Sequence, residues 1–230
     1  MRVEIWSDVV CPWCYVGKRR FEQALAAFPH RDQVEVVWRS FELDPSAPAE
    51  RIEGQAQHLS AKYGVSLERA QEMLDGMTAT AAVEGLDFRF DLMRGGSTFD
   101  AHRVIHLAAE RGVQDAVKER LLRATFTEGA PISEHETLVR LAVEAGLDAA
   151  EVREVLQGSR FADEVRADER DAQRLGISGV PFFVVDRTYG VSGAQPADVL
   201  REVLDKAWQD KPLVTTGGHG PGCDGDACAV

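Results

Sequence analysis

The stretch S-D-V-V-C-P-W-C-Y-V-G-K, Ser7 to Lys18, decides how the chain is read, because it sets two thiols one helical turn apart directly after a short apolar run. Arg2 to Trp6 alternates and carries β-formers, so it predicts a strand. Pro12 suits a first helical position, where its missing N–H has no partner to lose. Trp13, Tyr15, Val16, Phe21, Ala24, Leu25 and Phe28 then continue at helical spacing up to Pro29. Val34 to Ser40 predicts a second strand with Val34, Val36 and Trp38 on one face. The opening is therefore β-α-β, and Cys11 falls where the strand gives way to the helix.

Three roles are open to Cys11 and Cys14: metal ligands, a structural staple, or exchange of electrons with another molecule. Half of a zinc site would need two more ligands at matching spacing, yet His30 is isolated and the next cysteine is Cys223. A staple closing so short a loop removes little chain entropy. In the exchange reading, the first turn of a helix offers unpaired N–H groups and a partial positive charge. That setting lowers the pKa expected of Cys11, and the thiolate is the species that attacks disulfides. Cys11 attacks, and Cys14, on the same side of the helix, resolves. Asp8 either relays a proton near Cys11 or caps the turn.

Farther along, Asp44 to Leu175 reads as helices with no convincing strand. Ser133 to Glu136 and Asp148 to Glu151 resemble capping boxes, and Gly112, Gly129, Gly146, Gly158 and Gly176 fall where helices should stop. Leu138, Leu141, Ala142 and Ala145 repeat as a buried stripe, as do Val117, Leu121, Leu122 and Phe126. His102 and His106, four apart, are expected at the surface or a domain interface, and Met73 and Met77 in packing or along an apolar groove. Trp38 and Trp208 are expected in the core. After Gly176 the strand pattern returns as Phe182 to Val185 and Tyr189 to Val191, and Pro196 opens a last helix through Trp208. In G-I-S-G-V-P-F-F, Pro181 immediately precedes a strand; a cis bond there would turn the Val180 backbone toward an incoming peptide.

The expected architecture is thus α/β: a thioredoxin fold built from both ends of the chain, residues 1–45 and 176–212, around an inserted all-helical domain at 46–175. Residues 213–230 form a tail with too little apolar content to pack. Within it Cys223 and Cys228 frame D-G-D-A, which permits a turn that would bring the sulfurs together as an auxiliary redox pair; an inert end, or a weak metal site with His219, is the alternative.

With 44% apolar residues over 230 positions, the chain can bury a full core. Its formal net charge of -12 opposes binding to nucleic acid or anionic lipid. No run is long and apolar enough to span a membrane, and Glu4 and Asp8 interrupt what would have to be a signal-peptide core. The expected location is the cytoplasm, with the dithiol kept reduced.

The segments Ser7–Lys18, S-G-V-P-F-F-V-V-D and Y-G-V-S-G-A-Q-P together resemble the DsbA family, specifically its FrnE-like branch. The similarity runs over roughly residues 1–210 and includes S-T-F-D-A-H-R, Ser97 to Arg103. It implies a nucleophilic Cys11, a resolving Cys14 and a cis Pro181 packed beside the pair, with Asp8, Pro12, Trp13 and Val180 supporting the site. It further implies cysteine-containing client proteins and a thiol partner, glutathione among the candidates, without a bound cofactor or metal. Periplasmic members carry a histidine between the cysteines; Trp13 brings no positive charge, so a less oxidising couple is expected. Two other functions compete: a glutathione-dependent isomerase of aromatic carboxylates, similar to 2-hydroxychromene-2-carboxylate isomerase, and a holdase that uses an apolar groove.

Overall fold

The computed structural model describes residues 1–49, 51 and 53–210; the tail cysteines Cys223 and Cys228 lie outside them. Four strands, β1 (Arg2–Ser7), β2 (Glu35–Ser40), β3 (Phe182–Val185) and β4 (Tyr189–Ser192), form one sheet in the order β2-β1-β3-β4. β1 runs parallel to β2, with Ile5 opposite Trp38, and antiparallel to β3, with Ile5 opposite Phe183. The two ends of the chain are thereby stitched together through its first strand.

Helix α1 (Pro12–Ala27) links β1 to β2, and α9 (Ala197–Gln209) packs beside it on the same face of the sheet. Val3, Ile5, Phe21, Phe28, Phe183, Leu200 and Leu204 fill the space between. Each such side chain contributes on the order of 1.5–3 kcal/mol by leaving water. The other face of β1 is also covered. Trp6 and Val184 pack with Ala172 and Ile177, and the Trp6 indole N–H donates to the Asp168 carbonyl at 2.9 Å. After Arg2 at its start, alternation in β1 therefore does not expose the polar positions. Glu4 is 2% exposed and takes hydrogen bonds from Arg39 (2.9 Å, Nε) and Arg187 (2.6 Å, Nη2). Burial, the largest influence, would raise its pKa, but the two guanidiniums outweigh burial and hold the carboxyl below its ordinary value.

Between the sheet-forming ends run α2 (Gln55–Tyr63), α3 (Leu67–Val83), α4 (Phe99–Glu110), α5 (Gln114–Phe126), α6 (His135–Glu144), α7 (Ala149–Gln157) and α8 (Ala162–Arg174). The predicted stripes of α5 and α6 are buried, including Val117, Leu121, Leu138 and Leu141. The change of pattern at 175 is not a packing boundary, because α8, α5 and α4 all touch β2. Asp148 caps α7 by accepting from the N–H groups of Ala150 and Glu151 at 2.8 and 3.0 Å. Glu151 does not complete the box; its carboxylate turns to Arg111. The Ser133 box fails altogether. α6 starts one residue later than that cap would place it, at His135 behind Glu134, which makes no side-chain cap.

Candidate active site

Cys11 occupies the N-cap of α1 in extended conformation (φ -92°, ψ 111°), with Pro12 opening the helix. A serine or aspartate at that place would fold its oxygen onto the helix N–H groups. Here a sulfur faces them, with no acid in the first turn. The Cys14 N–H donates to the Cys11 carbonyl at 3.0 Å, closing the turn that carries both thiols. Both cysteines are free and buried, Cys11 at 4% and Cys14 at 1% exposure.

Loop and helix meet over the pair. The Val180–Pro181 peptide is cis, and the Cys11 thiol donates to the Val180 carbonyl at 3.5 Å. Gly17 lets α1 approach this loop, since a Cβ there would stand 2.8 Å from Pro181 Cγ. Cys11, Pro12, Trp13, Val180 and Asp8 all line a cavity of about 580 Å³; Cys14 does not reach it. Its apolar wall includes Met73, Met77 and Phe90. Trp13 is 46% exposed at the same cavity.

Behind the sulfurs lies a buried polar group that sequence reading assembled only in part. Asp8 is 1% exposed; its carboxylate accepts from Val9 N–H at 2.7 Å and Leu43 N–H at 2.8 Å. His102 Nε2 stands 3.3 Å from Asp8 Oδ1. Of the two places expected for His102, a surface or a domain interface, the surface is ruled out: it is 1% exposed, where α4 meets the strand-to-helix turn. His106 stands 3.1 Å from Ser40 Oγ and 3.2 Å from Asp168. Burial pushes the His102 imidazole below its ordinary value despite Asp8. Burial acts on Asp8 in the opposite sense, but His102, the Leu43 N–H and Lys118 outweigh it and hold the carboxyl low. Among the described residues no three His, Cys, Asp or Glu side chains gather as metal ligands.

Lys118 of α5 was not anticipated as a site residue. It is 1% exposed, donates from Nζ to the Ser7 carbonyl at 3.3 Å and lies 5.5 Å from the Trp38 ring centroid. A signal existed: Lys118 is three and four residues from Leu121 and Leu122, on the stripe that had to be buried. Burial lowers its pKa to about 8 against the pull of Cys14, Asp8 and Cys11.

The thiols titrate as a pair. The hydrogen bond with Cys14, then burial and the Cys14 charge, push Cys11 up. Burial also opposes ionisation of Cys14, but the Cys11 hydrogen bond, the Lys118 charge and Ser7 draw it below the ordinary thiol value. The lowering expected at Cys11 from the helix start is therefore a property of the pair as a whole: one hydrogen bond links the two sulfurs, and burial opposes charge on either.

A dithiol at the start of the helix after β1, closed over by an X-Pro loop on a sheet interrupted by helices, defines a thioredoxin-fold chain of the oxidoreductase type. The chain belongs to the family of the DSBA-like thioredoxin domain, whose model matches residues 2–205. It is similar to the crystal structure of a probable DsbA oxidoreductase from Streptomyces coelicolor, at 54% identity and a TM-score of 0.89 over 100% of this chain and 99% of that one. An uncharacterised protein of Bacillus subtilis, YwbO, is 27% identical over 92% of this chain and 99% of its own. The cytosolic disulfide reductase DsbM of Pseudomonas aeruginosa, solved with GSH, shares the fold at 20% identity and a TM-score of 0.65, covering 91% of this chain and 100% of that one.

Proposed function

We propose that the protein is a thiol-disulfide oxidoreductase that exchanges disulfides with cysteine-containing client proteins in the cytoplasm and is recharged by a thiol partner such as glutathione. One observation carries the division of labour: Cys11 lines the cavity and Cys14 lies behind it. An incoming sulfur meets Cys11 first. Cys11 forms the mixed disulfide, and Cys14, one turn away, displaces the client. The Val180 carbonyl, 3.5 Å from Cys11 Sγ, supports this reading, since it offers a backbone acceptor beside the reacting sulfur. A second reading, glutathione-dependent isomerisation of an aromatic carboxylate, draws support from the apolar wall of Met73, Met77 and Phe90 facing Cys11.

The test is a trap. Cys14→Ser expressed in cells should accumulate adducts on Cys11 that dithiothreitol releases, whereas Cys11→Ser should accumulate none. Absence of adducts in Cys14→Ser, together with turnover of glutathione conjugates of aromatic acids by the unaltered protein, overturns the proposal in favour of isomerisation.

A further inference from the structure

We propose that Arg20 of α1 is a positioning residue for disulfide exchange: its guanidinium ties the turn that holds Pro181 to the end of α3, and so fixes the Val180 backbone beside Cys11. The inference rests on the thiol-exchange reading above and assigns to it a residue that acts from outside the cavity.

The loop over the thiols has few anchors of its own. The Ile177 N–H donates to the Ala172 carbonyl at 2.9 Å, and the Pro181 carbonyl accepts from the Gly193 N–H at 2.8 Å. Between those two points Ser178, Gly179 and Val180 make no backbone–backbone hydrogen bond among the described residues. A Cβ on Gly179 would meet nothing within 4 Å, so no packing holds the loop on that side. Where Val180 stands therefore depends on the turn between β4 and α9, which Gly193 enters at φ +79°. The other bonds of that turn are local: the Gln195 N–H reaches the Gly193 carbonyl and its side-chain amide the Ser192 carbonyl, both at 2.9 Å.

Arg20 supplies the link to the rest of the molecule. Its Nη1 donates to the Ala194 carbonyl at 2.6 Å and its Nε to Glu84 Oε1 at 2.6 Å. Glu84 is the C-cap of α3, with a side chain only 9% exposed, and its second oxygen accepts from the Gln23 amide at 3.1 Å. The same α3 brings Met73, Leu74 and Met77 to the cavity wall. Arg20 and Gly17 are three residues apart and share a face of α1. That face meets the Pro181 ring at Gly17 and the Ala194 carbonyl at Arg20. The helix that carries the thiols, the loop that covers them and the helix that walls the cavity are thus joined through one side chain. A lysine offers a point charge rather than donors fixed in two directions, and does not replace it.

The test compares two substrates of the reduced protein in single-turnover stopped flow. An unstructured peptide closed by a disulfide has a backbone to lay along Val180; 2-hydroxyethyl disulfide has none. Arg20→Gln should raise the half-saturating concentration of the peptide about fivefold or more, while its limiting rate and the rate with 2-hydroxyethyl disulfide change by less than about twofold. Arg20→Lys should leave the peptide defect in place. Equal losses with both substrates, an unchanged half-saturation, or full rescue by Arg20→Lys overturns the assignment. If Arg20→Gln does not fold, Glu84→Gln decides: the amide 1H–15N signals of Gly193 and Val180 should shift from those of the unaltered protein, and unmoved signals overturn the assignment. Those signals need no substrate, so they report on the clamp even where the Cys14→Ser trap captures nothing.

Discussion

Asp8 and His102 show how a single buried contact ties stability to pH. Both have folded pKa values below their ordinary ones, 3.8 and 6.5. A depressed folded pKa contributes stability that is complete above the unfolded value and drains away as pH falls toward the folded one. The His102 contribution is therefore full above pH 6.5 and declines below it; that of Asp8 begins to go only below 3.8. Denaturant midpoints should fall with pH from 6.5 downward. His102→Asn should flatten that first decline and cost about 1–3 kcal/mol at neutral pH, because Asp8 is left short of a partner. A midpoint in the variant that tracks the parent's decline below pH 6.5 would assign the effect elsewhere. Trp13 brings no charge between the cysteines, but a buried cation lies in the same neighbourhood, Lys118, whose ammonium donates to the Ser7 carbonyl at 3.3 Å.

Helix α1 is placed by a glycine rather than by its apolar face alone. Gly17 faces Pro181 so closely that an added methyl would lie 2.8 Å from the ring, which is rigid. Gly17→Val should cost about 1–3 kcal/mol through overpacking. Gly76 in α3 has open space at its Cβ position, so Gly76→Ala should stabilise by up to about 1 kcal/mol through helix propensity. Denaturation midpoints at unchanged m-value check both, and equal effects of the two would rule out the close approach as the cause. The strands and α1 were legible in the sequence, because period and punctuation report each on its own. The Ser133 cap was not, since S-E-H-E satisfies the local rule while the chain enters α6 one residue later, behind Glu134. Lys118 and His102 escaped for a related reason: helical spacing tells which face is buried, but not which apolar-looking face lies under a thiol 100 residues away.

As a whole the molecule carries a formal charge of -12. Such a field accelerates encounter with partners of opposite sign, and salt removes the advantage. Exchange with a basic peptide disulfide should exceed that with an acidic one of equal length by roughly tenfold at low ionic strength, converging by about 0.5 M salt. Stopped-flow rates over a salt series measure this; a preference that persists at high salt would place selectivity in the cavity instead.

The sheet order β2-β1-β3-β4 puts the first strand of the chain in its middle and draws its antiparallel neighbour from 184 residues downstream for the Arg2–Asp186 contact. On a ribosome, Cys11 emerges 169 residues before Val180, which covers it. At about 5–20 residues per second, the dithiol spends roughly ten to thirty seconds as part of an unfinished chain, open to any oxidant or partner thiol. The catalyst of exchange is thus, during its own synthesis, a substrate for it.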